Sequence, residues 1–210
     1  MKNRIDEIFS IIPKSEIFAD IGCDHGYIAK KMLDSGKCKK AIVSDISEKC
    51  LNKASELLKN ETETKRAEAI VSDGFDALPI VDTALIAGMG GEEIIKILLN
   101  AKNAQKLPET LILQPMKNAE KLRTTLIPLQ YKIEKDYLFY VKDKYYILIL
   151  VKRGQDSLTE DEIEFGRTNI NEPSQDFLRY IKEEIAKFSG FGNGKEVIEK
   201  IARLKKYDRH

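Results

Sequence analysis

Residues Phe18 to Lys31 read FADIGCDHGYIAKK, an apolar run that breaks at Gly22 and resumes after Gly26 with helical spacing. The pattern Asp20-x-Gly22-x-x-x-Gly26 predicts a strand, a tight turn and the start of a helix. Gly22 suits a positive φ in that turn, and Gly26 lets the helix pack closely. Ligands bind outside the carboxyl ends of such strands. Asp24 and His25 stand where a dinucleotide loop carries glycine and a neutral residue. Carboxylates beside a pyrophosphate repel it, whereas the same groups attract an ammonium or a sulfonium. The turn expects a cationic ligand.

Around this turn the chain alternates. IFADI, KAIVSD, AEAIVSD, TALIAG and TLILQP are β-rich and bounded by Gly, Pro or Asp. Helical stretches separate most of them; in SEKCLNKASELLKN, Leu51, Ala54, Leu57 and Leu58 share a face and Ser47 suits the N-cap. GEEIIKILLNA and NAEKLRTTLIPL predict two more helices. Alternation of this kind predicts an α/β fold with a mostly parallel sheet covered on both faces. YKIEKDYLFYVKDKYYILILVKRG then reads as two antiparallel strands around Lys142-Asp143-Lys144. SLTEDEIEFGRTNI offers a short capped helix. Beyond it, Phe177, Ile181, Ile185 and Phe188 form one apolar stripe, and Val197, Ile201 and Leu204 another, across the turn FGNG. Residues 1–154 are expected to form the sheet domain and residues 155–210 a small C-terminal helical region.

Composition narrows the class. The 210 residues are 42% hydrophobic and 33% charged, as in a soluble globular chain. No apolar run approaches the roughly 20 residues that span a bilayer, and MKNRIDEIFS does not read as a signal peptide. A cytoplasmic location is expected. Cys23, Cys38 and Cys50 lack C-x-x-C spacing and read as reduced thiols, and His25 and His210 are too few for a zinc site. The net charge of +1 conceals two basic clusters, Lys30 to Lys40 and Lys195 to Arg209, each suited to a phosphate backbone or to a solvated face. Nothing calls for an obligate protein partner.

The other strand ends carry the chemistry. Asp45 lies 23 positions after Gly22, where a carboxylate accepts ribose hydroxyls, with Ile46 beside it. SDGFDAL places Asp73 and Gly74 after the third strand, with Asp73 able to accept from an adenine amine; capping explains Asp45 and Asp73 equally well one at a time. LIAGMGG puts Ala87, Gly88 and Met89 in a turn that something approaches closely, and LQPMKN offers Gln114 to a base edge.

This strand census resembles class I S-adenosylmethionine-dependent methyltransferases, with a Rossmann-like sheet and an antiparallel C-terminal hairpin. DIGCDHGY, SDG, AGMGG and LILQP, in this order, resemble the bacterial tRNA methyltransferases that make N1-methyladenosine at position 22. The resemblance covers essentially the whole chain. It implies S-adenosyl-L-methionine as methyl donor and the D arm of tRNA as target. The expected cofactor residues are Asp20, Gly22, Cys23, Asp24, Gly26, Asp45, Ile46, Asp73, Gly74, Ala87, Gly88 and Met89. The expected catalytic residues are Asp24, His25, Tyr27 and Gln114. Two other readings use the same residues: methylation of a different RNA position or a small molecule, and a non-catalytic RNA-binding module.

Overall fold

The computed structural model describes residues 3–192 and 194–208. His210, Arg209 of the basic C-terminal run and Asn193 of the FGNG turn lie outside the described residues. Seven strands form one sheet: β1 (Ser15–Ile21), β2 (Cys38–Asp45), β3 (Ala67–Val71), β4 (Thr83–Met89), β5 (Thr110–Pro115), β6 (Tyr131–Val141) and β7 (Lys144–Arg153). Their order is β3-β2-β1-β4-β5-β7-β6. The first five are parallel, and β7 runs antiparallel between β5 and β6. Lys142 and Asp143 both adopt positive φ in the two-residue turn of that hairpin, the backbone that matches strand twist.

The helices are α1 (Arg4–Ile11), α2 (Tyr27–Asp34), α3 (Glu48–Leu57), α4 (Lys59–Glu63), α5 (Gly91–Asn103) and α6 (Ala119–Leu126). After the hairpin come α7 (Glu160–Phe165), α8 (Arg167–Asn171), α9 (Gln175–Ser189) and α10 (Lys195–Lys205). Successive strand residues supply opposite cores, as the two-residue period requires. Ala19, Ile21, Ala84, Ile86, Leu111, Leu113, Ile149 and Val151 join Ile94 and Leu98 of α5 and Leu122 of α6. Phe18, Val43, Leu85, Ile112, Leu148 and Leu150 face the other way, onto Ile8, Ala29, Met32 and Leu51 of α1, α2 and α3. A third cluster joins Leu138 of β6 to Phe165, Phe177, Ile181 and Leu204, so the first predicted C-terminal stripe and Leu204 of the second pack on the hairpin side. The capped helix expected after Leu158 is α7, with a reciprocal Thr159–Glu162 capping box.

The N-terminal helix α1 was not expected. Asn3 caps it by accepting from the Asp6 N–H, and Ile8 and Ile12 are buried against α2. No helix among the described residues is long and apolar enough to cross a membrane.

Candidate functional site

The strand order reverses at β1, which has β2 on one side and β4 on the other. In open α/β sheets that switch point opens a crevice at the carboxyl ends. The turn after β1 is tied to β2, because the N–H groups of Gly22 and Cys23 both donate to the Ser44 carbonyl, at 2.8 and 2.9 Å. Gly26 begins α2 at φ +73°, and a Cβ there would stand 3.2 Å from the Cβ of Ala54. A side chain would push α3 away from the turn.

Asp20 is only 8% exposed. Burial pushes its carboxyl up to about 6, against the pull of a Cys23 thiol hydrogen bond, the Ala29 backbone N–H and the charge of Arg4. Burial and the Asp20 charge push the Cys23 thiol up in turn, so Cys23 stays protonated and donates to Asp20. Its sulfur accepts the Gly26 N–H at 3.0 Å.

Asp24, His25 and Tyr27 are brought together at the rim. His25 Nδ1 lies 2.8 Å from one Asp24 oxygen, and Lys53 Nζ of α3 donates to the other at 2.8 Å. Lys53 is the main reason the Asp24 carboxyl sits below its ordinary range. The half-exposed Tyr27 ring stacks on His25, with centroids 5.4 Å apart and planes within 6°.

Asp45 Oδ1 accepts the Ser47 N–H at 2.7 Å, and Ser47 caps α3. Capping therefore uses one oxygen of Asp45 and leaves Oδ2 without a partner among the described residues. Asp45, Ile46, Asp73 and Gly74 line a cleft of about 110 Å³ with Gly22 and Met89. The turn at Gly74 is locked by Ser72, whose hydroxyl donates to the Gly74 carbonyl and accepts the Ala77 N–H. A nucleoside needs several hundred Å³. The cleft is narrow because the Met89 methyl fills the space that a Cβ on Gly22 would take, and an unbranched thioether moves readily.

At the end of β4 the register against β5 shifts between Ala87 and Met89, with Gly88 at φ +84° between them. Such a bulge re-aims the strand end beside a site. Next to it, a Cβ on Gly91 would collide with the carbonyls of Lys117 and Asn118, so the AGMGG turn and the rim after β5 are in close backbone contact.

Gln114 is fully buried at the end of β5, which is covered on both faces; its Nε2 donates to the Pro115 carbonyl at 3.2 Å, and its Oε1 has no hydrogen-bond partner among the described residues. One expectation needs correction. The lysines from 37 to 40 do not border the site. They lie at the start of β2, whose extended rise places Lys37, Lys39 and Lys40 about 17–26 Å from Asp45 at the other end. Lys37 donates to the carbonyls of Phe9 and Ile12 at the end of α1, while Lys39 pairs with Glu16 and Lys40 with Glu68. In the competing C-terminal cluster, Lys200, Arg203 and Lys206 pair with Glu164 and Asp161 of α7.

Two residues escaped the sequence reading. Lys53 reaches Asp24 only through the rotation of α3, which spacing does not announce. Arg4 rides on α1, whose N-cap at Asn3 and apolar positions Ile5, Ile8, Phe9 and Ile12 were the available signal.

A sheet that reverses at β1, with acids at its strand ends and glycine turns after β1 and β4, defines a class I, Rossmann-like methyltransferase. Residues 1–149 match the family model described as a methyltransferase domain. A Mycoplasma pneumoniae protein named "Putative tRNA methyltransferase" is 34% identical over 180 residues, covering 81% of this chain and 82% of that one. The Bacillus subtilis tRNA (adenine(22)-N(1))-methyltransferase is 26% identical over 165 residues, covering 78% and 69%. The structure of M. capricolum TrmK in complex with S-adenosyl-homocysteine superposes with a TM-score of 0.84 at 26% identity, covering 99% of this chain and 97% of that one. This chain belongs to the methyltransferase-domain family and, within it, to the family of these tRNA methyltransferases.

Proposed function

We propose that the chain methylates N1 of adenine 22 in the D arm of tRNA, with S-adenosylmethionine as donor. The observation that carries this reading is the crevice itself: a glycine turn, a ribose-type acid with one free oxygen, and a rim of Asp24, His25 and Tyr27. The named relative acts on adenine 22, and the M. capricolum neighbour holds S-adenosyl-homocysteine. The acids favour a cationic nucleoside over a pyrophosphate. When bound, the cofactor supplies a sulfonium methyl group that adenine N1 attacks in line, the C–S electron pair leaving on sulfur.

The protein need not create the nucleophile, because adenine N1 already holds an unprotonated lone pair near neutral pH. Its contribution is position and charge, and alignment alone supplies roughly 7–11 kcal/mol in favourable systems. Asp45 Oδ2 takes the ribose hydroxyls, and Gly22 gives the nucleoside close approach once Met89 swings aside. Asp24 faces the positive charge that passes to the adenine ring, stays ionised beside Lys53, and is aimed by His25 and Lys53. Tyr27, already stacked on His25, extends an aromatic surface to a flipped base. Lys117 follows β5, and Lys142 and Lys144 sit at the β6–β7 turn, at the carboxyl ends of the parallel strands and without an ion pair among the described residues, so they suit RNA phosphates.

The deciding experiment is mass analysis of tRNA after incubation with protein and labelled cofactor. The expected product is one methyl group on N1 of adenine 22, and label elsewhere, or none, rejects the reading. In the same assay Asp24→Asn should lower turnover at saturating cofactor by about tenfold to a hundredfold, the scale of a charge-assisted contact, with tRNA affinity nearly unchanged. Full turnover would take Asp24 off the catalytic list.

For Asp45→Ala the expected loss of S-adenosyl-homocysteine affinity is about 1.5–3 kcal/mol, read by calorimetry. Unchanged affinity would mean that Asp45 serves only the turn into α3.

A further inference from the structure

Gln114 stands near the carboxyl end of β5, and its register partner on β4 is Ala87, one residue before the bulge at Gly88. Side chains alternate along a strand, so Gln114 shares the face of Ile112, which joins the cluster of Leu148 and Tyr146 of β7. The side chain is completely buried. Its Nε2 donates to the Pro115 carbonyl at 3.2 Å and lies 3.5 Å from Met116 Sδ. Both of these neighbours are acceptors, so the nitrogen belongs beside them and the amide oxygen is turned away. That oxygen, Oε1, is buried and has no hydrogen-bond partner among the described residues. A buried acceptor without a donor is costly unless a ligand completes it. Methionine would fill much the same space without that cost.

We propose that Gln114 Oε1 accepts a hydrogen bond from the 6-amine of the target adenine and so makes the site select that base. The assignment rests on the N1-methylation reading above and adds to it the residue that reads the base. Three observations favour it. The first is place. Gln114 sits beside the bulged end of β4 at the crevice, and the 6-amine and N1 are neighbours on one edge of adenine, so the group that holds the amine also fixes N1 for attack. The second is chemistry. Adenine offers a donor at position 6 and guanine an acceptor. A carbonyl oxygen whose orientation is set by Pro115 pairs with the first and is repelled by the second, and a site built around such a bond rejects the base that lacks it. The third is room. On the face that Gln114 shares with Tyr146, a cavity of about 580 Å³ is lined by Tyr27, Lys142 and Tyr146, ample for one flipped base. Met116, whose sulfur touches the amide, is half-exposed, so the amide lies one movable thioether below the surface.

A tRNA with purine ribonucleoside at position 22 keeps N1 but lacks the 6-amine, and it supplies the test. Wild-type protein should methylate the adenine tRNA with a kcat/KM at least about tenfold above that for the purine tRNA, the scale of leaving one buried acceptor unpaired. Gln114→Met, which fills the volume without an acceptor, should lower kcat/KM on adenine by about tenfold and leave the purine tRNA within about twofold. The preference for adenine then shrinks by the same factor, and the intrinsic difference in N1 reactivity cancels because both proteins meet the same two bases. Gln114→Asn, which withdraws the oxygen by one methylene, should also shrink the preference; it carries the test if Gln114→Met does not fold. Equal losses on both tRNAs, or no loss on either, would leave Oε1 to packing or to a buried water and overturn the proposal. A wild-type protein that treats the two tRNAs alike overturns it as well. Wild-type protein that leaves adenine 22 unmethylated would sink the N1 reading and this assignment with it.

Discussion

Asp136→Ala should cost about 3–5 kcal/mol of folding stability, the scale of a buried ion pair broken on one side. Asp136 of β6 is completely buried and grips Arg123 of α6 with two hydrogen bonds, Nε–Oδ2 at 2.6 Å and Nη2–Oδ1 at 2.9 Å. The remaining nitrogen, Nη1, donates to the carbonyls of Ile163 and Glu164 in the last turn of α7. Thr168 of α8 accepts the Asp136 backbone N–H, and the backbone at Gly166 comes so close that a Cβ would stand 2.8 Å from Asp136 Oδ1. The pair thus joins α6, β6, α7 and α8 at one point. Alanine leaves the guanidinium buried without its anion, which is why the single change is severe. The double variant Arg123→Met/Asp136→Leu should be much less harmful than Asp136→Ala, because no charge is then stranded. Urea unfolding of the wild type, Arg123→Met, Asp136→Leu and the double variant measures the cycle. If the double variant is as unstable as the sum of the singles, the two residues act independently and the account fails.

That pair also shows where sequence reading stops. Strands and helices announce themselves through periods of two and 3.6 residues: Phe18 and Ala19 face opposite cores, and Phe177 and Ile181 share one. The turn at Gly22 and Gly26 and the hairpin at Lys142 and Asp143 were legible because glycine and turn chemistry act locally. The acids Asp20, Asp24, Asp45 and Asp73 were legible as a set, since strand ends follow from strand boundaries. Side-chain partners depend on tertiary rotation instead. Arg123 and Asp136 are 13 positions apart on different elements, and nothing in their neighbours marks them as a pair. Lys53 meets Asp24, and Lys37 caps α1, for equally non-local reasons. The lysines near position 38 misled because charge density says nothing about which end of a strand it decorates. The burial of Gln114 was not legible because a polar residue in a fully covered central strand looks, in sequence, like a rim residue. α1 was overlooked because its apolar positions were weighed only as a leader, though they follow a helical spacing.

Asp20→Asn should stabilise the unliganded protein and weaken its cofactor binding at the same time. Asp20 titrates at about 6 in the folded chain, against an ordinary value of 3.8. The folded state therefore holds a proton that the unfolded chain has released between these values. As far as Asp20 is concerned, stability is fully present below about pH 4 and falls as pH rises through 6, by about 3 kcal/mol at most. Asparagine has no charge to desolvate. It can still accept from the Cys23 thiol but must place an extra N–H₂, so the expected gain at pH 8 is about 1–3 kcal/mol. The gain should vanish near pH 4, where both side chains are neutral. The ionised form is what a cationic ligand needs: an ammonium or a sulfonium beside Asp20 offsets the desolvation cost and draws its pKa down. Asparagine cannot respond in this way, so the melting-temperature rise produced by S-adenosylmethionine should shrink in the variant even as its unliganded melting temperature increases. Melting curves at pH 4.5 and 8, with and without cofactor, test both halves. A stability gain that does not change between these pH values would trace it to packing rather than to the buried charge. An undiminished cofactor shift would show that Asp20 holds up the turn but does not face the ligand. A site that retains this acid accepts a standing loss of stability in exchange for an anion already in place, the usual relation between function and stability at a buried charge.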